Sequence, residues 1–209
     1  MRAVPFALLL LTSAAGAASL GGDYQIEGRN PDGSTYQGTL SMAPAGRAWR
    51  LVWDAGAKTG GIGLALDDAL VVAIGDGDCA LAAYLKNRGG LNGIWTLPGG
   101  GAVGTERLRA KADPPQGLAG DYSVFGVSPE GKPYEDELKL EARGDHWLAQ
   151  WQTERTDAGY GIERGQRLAV TWGAPDCGIA MYRIDADGSL VGIWQLPGSD
   201  AIGTETARR

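Results

Sequence analysis

The sequence predicts an all-β protein made of two tandem antiparallel meander repeats, each a small β-barrel-like unit of about eight strands. Three features of the chain point there: an internal duplication, apolar residues that alternate with a period of two, and turn signals that recur about every ten residues. The duplication is the plainest. "GDYQIEGRNPDGSTYQGTL" from Gly22 aligns with "GDYSVFGVSPEGKPYEDEL" from Gly120 at an offset of 98, pairing Tyr24 with Tyr122, Gly33 with Gly131 and Tyr36 with Tyr134. "WRLVW" from Trp49 meets "WLAQW" from Trp147 at the same offset, and Cys79 meets Cys177. One inserted residue then moves the offset to 99, so that "GIWTLPGGGAVGTE" from Gly93 meets "GIWQLPGSDAIGTE" from Gly192.

Within each copy the elements read as strands. Trp49, Leu51 and Trp53 fall on one face and Arg50 and Val52 on the other, the alternation of a strand with one aromatic side. Turn strings such as "NPDGS" at Asn30, "GDGD" at Gly75 and "PGGG" at Pro98 are answered by "SPEGK" at Ser128, "GAPD" at Gly173 and "PGSD" at Pro197. A meander of this size leaves fewest exposed edges when it curls into a barrel. The interior of an eight-stranded barrel is filled by side chains or holds one small ligand. A second architecture stays open at this point, in which the two repeats share one sandwich or one barrel.

The expected division is a signal peptide at 1–17, repeat one at 18–108, a polar linker "RAKADPPQGLA" at 109–119, and repeat two at 120–209. The signal peptide is read from the basic start Met1-Arg2, the apolar run Ala3 to Leu11, and the small residues around Ala15-Gly16-Ala17. The apolar run is well short of the roughly 20 residues that span a bilayer, so the expectation is an exported chain with no transmembrane segment after cleavage. Periplasm, cell envelope and extracellular space are the compartments implied.

The formal charge is −6 and the cations are not clustered, which speaks against nucleic acid and anionic lipid as partners. The two cysteines, Cys79 and Cys177, occupy one position in the two copies. In an exported protein packed about a pseudo-two-fold axis, equivalent residues meet on that axis, and a Cys79–Cys177 disulfide is expected.

Residues able to carry chemistry are few. The single His146 has no clustered Cys or carboxylate at ligand spacing, so no metal, no cofactor and no histidine-based triad is expected. Carboxylates come in matched sets, Asp23 with Asp121, Asp78 with Asp176, and Glu106 with Glu205, each beside Gly, Cys or Thr at a strand end. There they read as residues that accept backbone N–H bonds and hold a turn. "GGIGLA" from Gly60, "GDGDC" from Gly75 and "RGD" from Arg143 are read as strand and turn, not as a phosphate loop, a calcium loop or an adhesion motif. The aromatic residues are the remaining candidates: Trp49, Trp53, Trp95, Trp147, Trp151 and Trp194 form two equivalent trios, with Trp172 unmatched opposite Ile74. Such rings stack on a ligand or fill a core.

The string "GDYQIEGRNPDGSTYQGTL", the W-x-x-x-W strand, the G-x-G segment and the closing G-x-W with Gly-Thr-Glu resemble a loosely defined group of small secreted bacterial repeat proteins. Some of that group carry a fibronectin-binding label. The resemblance spans both copies and implies no catalytic residues. Cys79 and Cys177 depart from it, standing where an apolar strand residue is expected. The functional expectation is an exported, non-enzymatic envelope or periplasmic protein that acts as a binding or structural module toward an envelope or extracellular protein partner. A lipocalin-like carrier of a small apolar ligand is the alternative, and a hydrolase using Glu106 or Glu205 is the third reading.

Overall fold

The computed structural model describes residues 20–75, 77–112, 117–152, 156–199 and 201–209. The expected signal peptide at 1–17 and residues 113–116 of the expected linker lie outside the described residues. Repeat one forms β1 (Gly22–Arg29), β2 (Thr35–Ala45), β3 (Ala48–Asp54), β4 (Lys58–Leu66), β5 (Ala69–Ile74), β6 (Cys79–Asn87), β7 (Gly90–Thr96) and β8 (Gly104–Ala110). Repeat two forms β9 (Gly120–Val127), β10 (Pro133–Arg143), β11 (His146–Gln152), β12 (Thr156–Arg164), β13 (Arg167–Gly173), β14 (Gly178–Ile184), β15 (Leu190–Gln195) and β16 (Gly203–Arg208). The protein is all-β, with two closed barrels of eight antiparallel strands each.

The barrels are not the repeats. The first barrel runs β1-β16-β15-β14-β5-β4-β3-β2, and the second runs β10-β11-β12-β13-β6-β7-β8-β9. Each repeat places five strands in one barrel and its last three in the other, so the two-barrel expectation and the shared-structure alternative each describe part of what forms. The exchange happens at the fifth link of each copy. β5 does not turn back onto β6; it pairs with β14, Val72 opposite Ala180, while β6 pairs with β13, Ala82 opposite Val170. Because the two copies carry equivalent strands, swapping partners preserves every ladder.

The exchanged strands are buried on both faces, which explains why "ALVVAI" and "CALAAY" run apolar without alternating. Leu70 and Val72 of β5 point into the first barrel, with Tyr24, Leu40, Leu51 and Leu190. Val71 and Ala73 point outward, into a cluster with Ile62, Leu81, Ala83, Ile162, Ala169, Ile179 and Met181 that lies between the barrels. Cys79 and Cys177 belong to this cluster and form the expected disulfide, with Cα atoms 5.6 Å apart and a sequence separation of 98. It joins the two crossing links. Closing a loop of that length stabilises the fold by roughly 4 to 5 kcal/mol in the chain-entropy account.

Two further sequence motifs fall where the strand and turn readings put them, and Asp76 of "GDGDC" lies outside the described residues. Gly60 to Leu64 lie in β4, and "RGD" spans the hairpin from β10 to β11 with Gly144 at φ 59°. His146 opens β11, its ring 4.8 Å from that of Tyr160.

Candidate functional site: the aromatic mouths

Cross-strand register sets a row of five interior positions in each barrel. In the second barrel Tyr84 lies opposite Gly93, Gly93 opposite Glu106, Glu106 opposite Gly126, and Gly126 opposite Tyr134. In the first barrel the same row reads Tyr182, Gly192, Glu205, Gly28 and Tyr36. Each tyrosine folds its ring across the adjacent glycine toward the central glutamate. A Cβ on Gly93 would sit 2.2 Å from the Tyr84 ring, and one on Gly126 would sit 2.2 Å from the Tyr134 ring. The glycines are therefore the space in which the tyrosines lie.

The glutamates accept what the tyrosines donate. The Tyr84 and Tyr134 hydroxyls donate to the two oxygens of Glu106, each at 2.5 Å. Glu205 takes three donors: the Tyr36 hydroxyl at 2.9 Å, the Tyr182 hydroxyl at 2.7 Å, and the Trp53 indole N–H at 3.1 Å. Burial raises the Glu106 pKa, an effect the two tyrosine bonds oppose and nearby Asp136 reinforces. Burial, then the facing carboxylate, pushes all four tyrosine hydroxyls upward, which keeps them protonated as donors. The expectation that these glutamates tie down backbone is thereby corrected: their partners are side chains on other strands, 22 to 169 residues away. Asp23, by contrast, holds the Ser41 hydroxyl at 2.7 Å on the surface.

Above each row one end of the barrel opens as a mouth. The second mouth is a cavity of about 560 Å³ ringed by Tyr134 and Asp136 of β10, Trp151 of β11, Asp157 of β12, Trp172 of β13, and Trp95 of β7, with Glu106 on its floor. Trp151 and Trp172 meet at 5.0 Å between ring centroids, Trp172 and Trp95 at 6.5 Å, and Trp95 meets Tyr134 edge-on at 6.1 Å. These contacts make one continuous aromatic wall. The first mouth, about 480 Å³, has Tyr36, Trp53, Lys58, Thr59, Ile74 and Trp194 in its lining, above Tyr182 and Glu205. An exposed leucine stands at the rim of each, Leu97 at the second and Leu196 at the first.

The chain matches no family model, no curated protein and no solved structure. What the site is rests on its own geometry.

Of the six tryptophans singled out from sequence, four reach a mouth, and strand exchange regroups them. Trp53 of repeat one joins Trp194 of repeat two, while Trp151 of repeat two joins Trp95 of repeat one. Trp49 and Trp147 are half-buried against the cores of the first and second barrels. Each sits four residues, about 13 Å along its strand, from the mouth tryptophan. Sequence reasoning passed over Trp172, Asp136 and Asp157 as site residues, while Tyr84 and Tyr134 stood with the tryptophan trios among the aromatic candidates. The three passed over carry a signal in the alignment of the copies, since Trp172, Asp136 and Asp157 stand opposite Ile74, Gly38 and Thr59. Among the described residues no group of three or more His, Cys, Asp or Glu is placed to hold a metal ion.

Proposed function

We propose that the protein is a non-enzymatic binding module, exported to the periplasm or envelope, whose binding surfaces are the barrel mouths. The observation that carries this reading is the wall of Trp95, Trp151, Trp172 and Tyr134 around an open cavity at the second mouth. Large rigid aromatic faces beside a few polar groups are what small-ligand sites are made of.

The barrel interiors are filled by their own side chains, Tyr24, Leu40, Leu51 and Leu70 in the first and Tyr122, Leu138, Leu140 and Leu168 in the second. A ligand therefore sits at the mouth, not within the lumen as in the carrier reading. The exposed Leu97 extends the apolar rim outward. Against hydrolysis stands the state of Glu106, both of whose oxygens already accept tyrosine hydroxyls.

Native mass spectrometry of the exported protein, together with NMR of the tryptophan indole N–H signals during titration with small aromatic and aliphatic probes, tests the reading. A retained ligand, or probe-dependent shifts at Trp95, Trp151 and Trp172 that are lost in Trp172→Ile, supports it. A ligand-free mass with indole signals that no probe moves overturns it.

A further inference from the structure

The second mouth differs from the first in charge and in aromatic face. Gly38, Thr59 and Ile74 of the first barrel are replaced at the equivalent strand positions of the second by Asp136, Asp157 and Trp172. Lys58 and Asp176 line the first mouth beside Glu205, and the counterpart of Lys58 in repeat two is Thr156. Among the described residues, the second mouth is lined by Glu106, Glu130, Asp136 and Asp157 and by one cation, Lys132. With Glu106 occupied by its two tyrosines, three carboxylates still face one ammonium group.

Resting on the binding reading above, we propose that the second mouth, and not the first, takes an organic cation: a protonated or quaternary amine with a small apolar body. A tryptophan face attracts such a cation when it approaches within about 6 Å of the ring centroid. The walls meet at interplanar angles of 47°, 51° and 84°, so they curve around a rounded head group and offer no broad flat platform to a sugar ring. Anions are repelled by the carboxylates, and among the described residues these carboxylates are not grouped closely enough to hold a bare metal ion. Asp136 and Asp157 are close enough for each other's charge to be felt at Asp136, whose pKa burial raises first. A bound cation relieves that repulsion.

The first mouth lacks this device for a steric reason as well as by composition. A Cβ at Gly38 would lie 2.3 Å from the Asp54 carbonyl oxygen, so no carboxylate fits at the place of Asp136.

Choline and 3,3-dimethylbutan-1-ol are nearly the same shape and differ by the charge. Titrated into the full-length protein and followed by indole N–H signals, choline moves Trp95, Trp151 and Trp172 and leaves Trp53 and Trp194 unmoved. It binds about tenfold or more tightly than the alcohol, and Trp172→Ile or Asp157→Thr each costs about fivefold. Equal binding of the two probes, or binding of the alcohol alone, overturns the cation assignment while leaving a binding mouth intact. Silence of the three tryptophans toward both probes, in a protein whose spectrum is that of the folded state, overturns the assignment. If the wider set of probes is silent too, the binding reading falls with it.

Discussion

The two mouths are built on one frame and finished differently. Both rest on a Tyr-Gly-Glu-Gly-Tyr row that crosses five strands, and in both the glutamate accepts from tyrosines whose rings lie over glycine. In the first barrel Trp53 turns its indole N–H onto Glu205, closing the row with a third donor. In the second, Trp151 packs on Trp172 and adds to an open wall. The difference traces to position 74 against 172: isoleucine gives a tryptophan no aromatic neighbour, while Trp172 draws Trp151 into a ring contact. Both tryptophans are buried to the same degree; the first mouth commits its ring to the glutamate frame, and the second commits it to a ring contact in the mouth wall.

Removing the glutamates should expose that difference as the largest effect. Glu205→Ala leaves three donors without an acceptor, two of them on the fully buried Tyr182 and the nearly buried Trp53. Glu106→Ala leaves two. With a penalty of about 1 to 3 kcal/mol per buried unsatisfied group, Glu205→Ala should destabilise by about 4 kcal/mol and Glu106→Ala by about 3. Urea denaturation with the disulfide intact measures both. Equal losses would mean that the Trp53 bond adds nothing, and the two frames would then be energetically alike.

The glycines come next. Gly93→Ala puts a methyl 2.2 Å from the Tyr84 ring and 2.6 Å from the Ala83 carbonyl oxygen, and Gly192→Ala puts one 2.4 Å from the Tyr182 ring and 2.7 Å from the Met181 carbonyl oxygen. Neither backbone contact can move without breaking a ladder, so each variant should lose about 2 kcal/mol by overpacking. The second expectation is structural: the displaced tyrosine releases its glutamate. Loss of stability with an unchanged tyrosine-to-glutamate bond in a crystal structure would show that the ring is not what the glycine accommodates.

Much of this was legible in the chain. Turn strings at regular spacing marked sixteen strands, the Trp49-Leu51-Trp53 alternation assigned an interior face, and two cysteines at one repeat position marked the axis. Strand exchange was not legible, because β5 meets equally suitable edges in β6 and β14 when the sequence is duplicated. Nor was the role of the glutamates. Glu106 finds Tyr84 and Tyr134 through register, and nothing local in "GTE" distinguishes a carboxylate that holds a turn from one that faces two hydroxyls across glycine. The residues that separate the mouths were visible as breaks in the symmetry. Trp172 against Ile74 is such a break, and so is Asp136 against Gly38.

The smallest effect sharpens the comparison by pH. Burial, the leading cause, raises the Glu106 pKa, and burial with the neighbouring Glu137 and Asp157 charges raises that of Asp136. For both, the folded state holds its proton more tightly than the unfolded chain does. Their contribution to stability is therefore complete below the unfolded carboxylate range, near pH 4, and declines as pH rises through the higher folded-state values. Glu106→Gln and Asp136→Asn each remove one such group, so the advantage of wild type over either variant should be greater at pH 4 than at pH 8. Denaturation midpoints at the two pH values measure this. The Asp136→Asn slope should also flatten when choline is present, because a cation in the mouth stabilises the charged carboxylate and pulls its folded pKa back down. A slope for Asp136 that choline leaves unchanged would mean that the cation, if it binds, sits away from β10, and the wall of tryptophans alone would have to account for it.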